Sequence, residues 1–260
     1  MNLAPNRFKQ AVRAGKPLIG LWSSLCSNIA VEAIAGSGFD WTLLDMEHAP
    51  NELPIMITQL QALSNSSTVP VVRPAWNDMV LIKRILDSGA HNLLVPYVQT
   101  VEEARAAVAA TRYPPEGIRG VATVHRSNNF GRTKNYYHDV NDQICMIVQI
   151  ETPRALANLD AIASVDGVDG CFIGPSDLSA SMGHRGTPGH PEVRAAIEDA
   201  FRRIRKAGKA PGILAPIEAD ARHWLSLGAV VLAVGGDIAL LVRHADELAA
   251  KFKTNTDEHR

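Results

Sequence analysis

The sequence predicts a (β/α)8 barrel, an α/β fold in which eight parallel strands alternate with helices and close into a cylinder. Three observations predict it: eight short apolar runs recur along the chain, segments with a helical period separate most of them, and 260 residues suit one such barrel. An open, doubly wound sheet is the alternative. It is weakened because no GxGxxG follows the first apolar run.

The predicted strands are the apolar runs themselves. They cover residues 18–21, 41–44, 69–72, 92–95, 144–150, 170–173, 211–214 and 230–234. Strands that alternate with helices indicate a parallel sheet, and eight of them in one chain of this length favour a closed barrel.

Helical periodicity appears between the runs. The predicted helices cover residues 28–35, with Asn28 as the expected cap, and residues 78–87, 101–111, 155–163, 191–207 and 218–227. A last apolar-periodic segment, residues 237–252, is predicted to be the eighth barrel helix or a helix that packs on another subunit.

Residues 113–142 fit neither a strand nor a helix pattern. A loop of this length in a compact domain is usually functional or disordered. Because it falls between the fourth and fifth strands, we expect it to lie over the mouth of the barrel.

Composition excludes several classes of protein. The hydrophobic fraction of 46% excludes global disorder, and a net charge of −1 offers no long-range attraction to nucleic acid or to an anionic membrane. The three cysteines form no CxxC, and neither a signal-like apolar start nor an 18-residue apolar stretch occurs. We therefore expect one soluble, cytoplasmic domain over residues 1–260, with a frayed tail at 253–260.

Two carboxylates stand where predicted strands end. Glu151 follows the run 144–150, and Asp177 follows the run 170–173 after a Gly-Pro-Ser turn. The C-terminal ends of barrel strands face the active site, and Mg²⁺ and Mn²⁺ prefer carboxylate oxygens. The pair therefore predicts a site for a divalent cation, although each acid alone would equally pair with an arginine or cap a helix.

Two further polar residues stand at strand ends. His48 follows the second strand and Arg73 follows the third. A metal, an imidazole and a guanidinium together suit a reaction that passes through an enolate. Taken alone, His48 is more often a structural residue and Arg73 is as often an ion-pair partner. The histidines at 184, 190, 223 and 244 have no zinc-site spacing and are predicted to have no role.

Four motifs carry a resemblance to a known family. They are Asp45-Met46-Glu47-His48-Ala49-Pro50, Val72-Arg73-Pro74, Val148-Gln149-Ile150-Glu151 and Ile173-Gly174-Pro175-Ser176-Asp177-Leu178. With them, the chain from about residue 7 to 252 resembles the HpcH/HpaI family of metal-dependent, pyruvate-forming class II aldolases. The resemblance implies a TIM barrel of the phosphoenolpyruvate/pyruvate-domain type.

The resemblance also implies a reaction. Residues 110–121, 125–131 and 212–222 are similar to the members that cleave 5-keto-4-deoxy-D-glucarate to pyruvate and tartronate semialdehyde through a metal-chelated pyruvate enolate. Two sibling substrates stay open, 4-hydroxy-2-oxoheptanedioate and 2-keto-3-deoxy-L-rhamnonate, because they differ only in the aldehyde half. A barrel that only senses an oxo acid is disfavoured by His48 and Arg73. Cleavage of a CoA ester is disfavoured by the lack of a basic phosphate-binding cluster.

Roles in metal and substrate binding follow from the resemblance. Glu151 and Asp177 are implied to bind Mg²⁺, with Mn²⁺ or Co²⁺ as alternatives, and Gln149, Ser176, Asp177 and Leu214 are implied to contact the substrate. No lysine stands at a predicted strand end, so a Schiff base is not expected.

The catalytic roles follow in the same way. Arg73 is implied to stabilise the enolate oxygen, His48 to act as acid and base, and Asp87 to raise the basicity of His48, while Arg126 in the long loop is implied to bind the distal half of the substrate. Asp87 ends a helix near the barrel bottom, and a five-residue strand spans roughly 17 Å, so Asp87 must come from a neighbouring chain. The family suggests a hexamer in which the C-terminal helix is exchanged between subunits.

Overall fold

Eight parallel strands form a closed barrel in this computed structural model, which describes residues 2–253. Each strand pairs with the next along the chain, and β1 closes on β8. The predicted fold class is confirmed. The strands are β1 (Leu18–Ser23), β2 (Trp41–Asp45), β3 (Val69–Arg73), β4 (Asn92–Val95), β5 (Cys145–Ile150), β6 (Gly170–Ile173), β7 (Ala210–Leu214) and β8 (Val231–Gly236).

Helices surround the barrel. They are α1 (Arg7–Arg13), α2 (Asn28–Ala35), α3 (Leu53–Ala62), α4 (Met79–Asp87), α5 (Val101–Thr111), α6 (Tyr136–Gln143), α7 (Pro153–Ala157), α8 (Leu159–Ala163), α9 (Pro175–Ser181), α10 (Pro191–Lys206), α11 (Glu218–Ser226) and α12 (Asp237–Lys253). All the predicted helices are present, but residues 155–163 fall into two short helices, and α1, α3, α6 and α9 were not predicted. Ser27, not Asn28, caps α2, because its side chain accepts the backbone N–H of Ala30.

The strands present alternate residues to the two sides of the barrel wall. In β2, Trp41 and Leu43 point into the barrel, while Leu44 packs outward against the helices. In β5, Ile147 faces inward and Val148 faces outward. Since side chains alternate with a period of two, the next inward positions of these strands fall at the mouth of the barrel.

Large and small side chains fill the interior together. Trp41 is fully buried and lies across the backbone of Gly20 in the neighbouring strand, where a Cβ atom would overlap the indole. The indole Nε1 donates to the carbonyl oxygen of Leu18 at 3.1 Å, so the polar atom of this core residue is satisfied. The interior is therefore a packed core rather than a channel.

Helix α1 closes the bottom of the barrel. Phe8 and Val12 pack against the interior side chains, and the Lys9 ammonium donates to the carbonyl oxygen of Ile144 at 2.6 Å. Asp169 lies 3.8 Å from the Lys9 ammonium and balances its charge. With this end closed, the open end of the barrel is the one where the strands finish.

The prediction that residues 113–142 lie over the barrel mouth is wrong within this subunit. The connection from β4 to β5 has two loops, and the long one follows α5, so it lies at the barrel bottom. Arg126 donates to the carbonyl oxygen of Ser88, directly after α4, at 2.9 Å, and Ser127 bonds His91, directly before β4. The segment is also partly helical, because it contains α6.

The remaining predictions on organisation concern the chain end and the membrane. Lys253 is the last residue of α12, and the rest of the predicted frayed tail, 254–260, lies outside the described residues. Within residues 2–253, no helix combines the length and the apolar character that crossing a bilayer requires.

Candidate active site

The inward-facing rows of the strands end in polar residues at the barrel mouth. Asp45 continues the row of Trp41 and Leu43, and Gln149 continues the row of Ile147. A cavity of about 430 Å³ opens there. Its wall contains six of the predicted site residues, which are His48, Arg73, Gln149, Ser176, Asp177 and Leu214.

Arg73 lies at the centre of this polar layer and is almost fully buried. Its Nε and Nη2 donate to the two carboxylate oxygens of Asp45 at 2.9 and 2.6 Å, a bidentate pair between register partners of β2 and β3. Its Nη1 lies 2.8 Å from Glu47 Oε2 and 3.3 Å from Gln149 Oε1. The guanidinium therefore bonds Asp45 and Gln149, forms an ion pair with Glu47, and has a fixed plane.

Asp45 is held in its charged form by these contacts. Burial alone would raise the pKa of this carboxyl, but the hydrogen bonds and charge of Arg73 outweigh burial and bring the pKa below its ordinary value. The indole Nε1 of Trp22 also donates to Asp45 at 3.1 Å. Asp45 was noted at a strand end but given no role, and the structure shows that it orients Arg73.

Glu47 is a third acidic side chain near the cavity, beside Asp45 and Glu151. It is mostly buried, faces Arg73, and lies 3.8 Å from Nε2 of His48. Burial is the main cause that raises its pKa, and the charges of Asp45 and Asp177 add to it. Its place in the Asp45–His48 motif, directly after β2, was the signal that would have identified it.

Glu151 is buried at the end of β5. Its Oε1 accepts the backbone N–H of Tyr97 at 2.8 Å, and its Oε2 accepts Nε2 of Gln149 at 3.0 Å. Burial, together with the charges of Glu47 and Asp177, raises the pKa of Glu151 to about 7. Burial is the larger cause, the two neighbouring acids add to it, and the charge of Arg73 only partly offsets them. The donor set therefore fits a divalent cation, which prefers such oxygens.

Two backbone features accommodate Glu151. One supplies a hydrogen-bond donor to its carboxylate, and the other leaves space for it. Tyr97 has a φ of +55°, a left-handed conformation that is rare for a bulky residue, and this conformation directs its N–H at the carboxylate. Gly174 lines the cavity, and a Cβ atom there would overlap the carboxylate of Glu151. Nothing in the sequence around Tyr97 signalled its contact with Glu151.

Ser176 and Asp177 lie in the first turn of α9 and are exposed at the rim. His48 is also at the rim, with 63% of its side chain exposed. The structure thus places His48, Arg73, Gln149, Asp177 and Leu214 around one cavity, and it places Glu151 beside Gly174 in the same wall.

Asp87 and Arg126 lie elsewhere in the subunit. Asp87 ends α4 at the barrel bottom, where its Oδ1 accepts Nη2 of the buried Arg119 at 2.7 Å. Arg126 bonds Ser88, the next residue. Within one chain, neither residue reaches the mouth, because both are fixed at the opposite end of the strands.

Similarity to known proteins identifies the family and supports the fold. The model of the family described as HpcH/HpaI aldolase/citrate lyase matches residues 18–244. A 4-hydroxy-2-oxo-heptane-1,7-dioate aldolase of Klebsiella pneumoniae is 59% identical over 251 residues, which are 96% of this chain and 95% of the relative. A protein of the same name from Salmonella heidelberg is 56% identical over 95% of this chain and 94% of its own length.

Solved structures agree with these relatives. A crystal structure of an HpcH/HpaI aldolase/citrate lyase family protein from Burkholderia cenocepacia has a TM-score of 0.92 and 39% identity, covering 95% of this chain and 99% of that one. An HpcH/HpaI aldolase from Desulfitobacterium hafniense has a TM-score of 0.87 and 30% identity, covering 94% and 96% of the two chains. The chain belongs to the HpcH/HpaI aldolase family, which confirms the resemblance that its strand-end motifs carried.

Proposed function

We propose that this chain cleaves 4-hydroxy-2-oxoheptane-1,7-dioate by a retro-aldol reaction to pyruvate and succinic semialdehyde. The observation that carries the reaction is the acidic cluster of Glu47, Glu151 and Asp177 beside the Arg73 guanidinium. The choice of substrate rests on the Klebsiella and Salmonella relatives, which are named for this acid and match nearly the whole chain. They favour it over 5-keto-4-deoxy-D-glucarate, which the sequence motifs suggested first.

Glu151 and Asp177 are the proposed ligands of a divalent cation, with Mg²⁺ as the first choice. Mg²⁺ in proteins typically uses one or two carboxylates and completes its shell with waters and substrate oxygens, so two protein ligands suffice. When bound, the cation polarises the 2-oxo group and stabilises negative charge on its oxygen. Gln149 keeps Glu151 oriented through its 3.0 Å hydrogen bond.

In the proposed reaction, His48 transfers the proton and Arg73 stabilises the negative charge of the enolate. His48 takes the proton from the C4 hydroxyl, the C4–O bond becomes a carbonyl, and the C3–C4 bond breaks. The electron pair moves into the pyruvyl half as an enolate, and a proton delivered to C3 gives pyruvate. Asp45 occupies Nε and Nη2 of Arg73, so the developing oxyanion is proposed to meet Nη1, a nitrogen that it would share with Glu47 and Gln149.

Asp87 is proposed to act on His48 from a neighbouring subunit. Helix α12 supports an oligomer, because among the described residues this 17-residue helix buries only Asp237 and leaves Leu241, Leu248 and Phe252 more than half exposed. An assembly that brings Asp87 to a neighbour's mouth also brings Arg126, which is bonded next to it. Arg126 as a substrate-binding residue therefore stays a prediction for the neighbouring site.

The substrate assignment is tested by pyruvate release with Mg²⁺ present. We expect kcat/KM for 4-hydroxy-2-oxoheptane-1,7-dioate to exceed that for 5-keto-4-deoxy-D-glucarate and 2-keto-3-deoxy-L-rhamnonate by about tenfold or more, since the aldehyde halves differ in polarity and length. EDTA-treated enzyme and Glu151→Ala are the controls, and both should be inactive. A higher value for the glucarate-derived acid would restore the first substrate, and no pyruvate from any acid would refute the reaction.

Arg73→Lys should keep the charge but lose about 10²–10³ in kcat, because a point charge cannot replace a planar fork held by two acids. The measurement is steady-state kinetics at saturating Mg²⁺. Arg222→Lys is the matched control, because that arginine is exposed on α11 and pairs with Glu218 on the same helix. Activity of the Arg73 variant within about threefold of wild type would show that Arg73 is only structural.

Glu151 should make the metal-free protein less stable as pH rises. Its folded pKa of about 7 is above the ordinary value of 4.5, so this contribution to stability is complete below about pH 4.5, falls as pH rises toward 7 and is lost above it. The Tm of EDTA-treated wild type should therefore fall between about pH 5 and pH 8, and it should fall less in Glu151→Gln. Equal slopes in the two proteins would contradict the raised pKa.

The shared site is tested by complementation. His48→Ala and Asp87→Ala chains carrying different tags should each be inactive alone, and co-expressed hybrids purified through both tags should regain turnover. Hybrids of two differently tagged His48→Ala chains are the control and should stay inactive. A fully active monomer in sedimentation, or hybrids without activity, would refute a role for Asp87 across a subunit boundary.

A further inference from the structure

Three potential metal ligands meet on the surface between α9 and α10, outside the wall of the catalytic cavity. One ligand atom from each of His184, His190 and Glu192 lies within 4.8 Å of the other two. Nε2 of His184 is 2.9 Å from Oε2 of Glu192, and the two imidazole rings stack with centroids 3.6 Å apart. In residues 2–253, no other group of three or more His, Cys, Asp or Glu side chains meets this distance criterion.

The loop between the two helices makes this cluster. The backbone N–H of His184 donates to Ser179 in α9, the N–H of Thr187 donates to His184, and the N–H of His190 donates to Thr187. These bonds fold the loop back on itself and carry His184 to the start of α10. The spacing of the three ligands matches no zinc motif, which is why the sequence analysis gave these histidines no role.

We propose that His184, His190 and Glu192 form a second metal site, for Zn²⁺ or a similar borderline cation. Two imidazole nitrogens and one carboxylate are a known zinc donor set, which leaves a fourth position for water. The ligands proposed at the mouth, Glu151 and Asp177, are carboxylates, which suit Mg²⁺. The two sites therefore differ in donor chemistry, and one cation does not serve both equally well.

Binding requires two local changes. The proton between His184 and Glu192 must leave, because a metal replaces it on the nitrogen. One ring must also turn about its broad χ2 torsion, since stacked rings direct their nitrogens side by side rather than at one point. Glu192 is exposed and His184 is about one-fifth exposed, so neither change disturbs the core.

The bound ion would cross-link the loop at both ends. His184 follows α9, whose first turn carries Asp177, and His190 and Glu192 begin α10. The ion would thus restrain the loop between α9, which borders the catalytic cavity, and the longer helix α10. The expected effect is on stability, because all three ligands are outside the cavity wall.

Calorimetric titration of tag-free protein with ZnCl2 in about 10 mM Mg²⁺ tests the site. We expect one Zn²⁺ per chain in wild type and in Glu151→Ala, and loss of that binding in His184→Ala, Glu192→Gln and His190→Asn. Asparagine at position 190 keeps a good helix cap, so α10 remains intact. His244→Ala is the matched control, because His244 pairs with Glu247 at 3.1 Å on an exposed helix face.

Thermal unfolding provides a second measurement. Zn²⁺ at roughly 100 times its Kd should raise the Tm of wild type and His244→Ala by about 5 °C, and it should leave the Tm of His184→Ala unchanged. Equal Zn²⁺ stoichiometry in wild type and His184→Ala would overturn the proposal. So would binding that disappears in Glu151→Ala, since the ion would then occupy the mouth. Both results are independent of which acid the enzyme cleaves.

Discussion

The bidentate pair between Arg73 and Asp45 is the interaction on which the mouth of the barrel depends. It compensates the burial of two charges and places the guanidinium between Glu47 and Gln149. Removing one partner of such a pair leaves a buried charge without compensation, a loss on the order of 3–5 kcal/mol. Because Gln149 in turn orients Glu151, the geometry of the proposed cation ligand depends on the same arginine.

Around that pair, the site concentrates negative charge. Burial raises the pKa of both Glu47 and Glu151, and neither carboxylate is fully relieved by Arg73. Tyr97 adds to the cost, because its backbone is in a left-handed conformation that directs an N–H at Glu151. Unfavourable local features of this kind are typical of functional sites, where the ligand rather than the fold supplies the compensation.

A single subunit forms only part of the proposed site. Asp87 is tied to Arg119, and Arg126 is tied to Ser88, at the end of the barrel opposite the mouth. The apolar face of α12 is also largely uncovered by its own chain. In the proposed assembly, the bottom of one barrel would meet the mouth of the next, and a neighbour would supply Asp87 and Arg126.

The sequence by itself determined the barrel, its eight strands and the mouth residues at their ends. Strand parity is a local property, so Asp45 shares a face with Trp41 and Gln149 shares a face with Ile147, but only the structure shows that this face is the inner one, because both strands are buried on both faces. The order of elements already placed the long loop at the bottom, because it follows the predicted helix 101–111, but its contacts with Ser88 and His91 join separate elements. Tertiary structure alone decided the rest. The roles of Glu47 and Tyr97, and the meeting of His184 with Glu192, arise from contacts between separate elements, which residue spacing does not record.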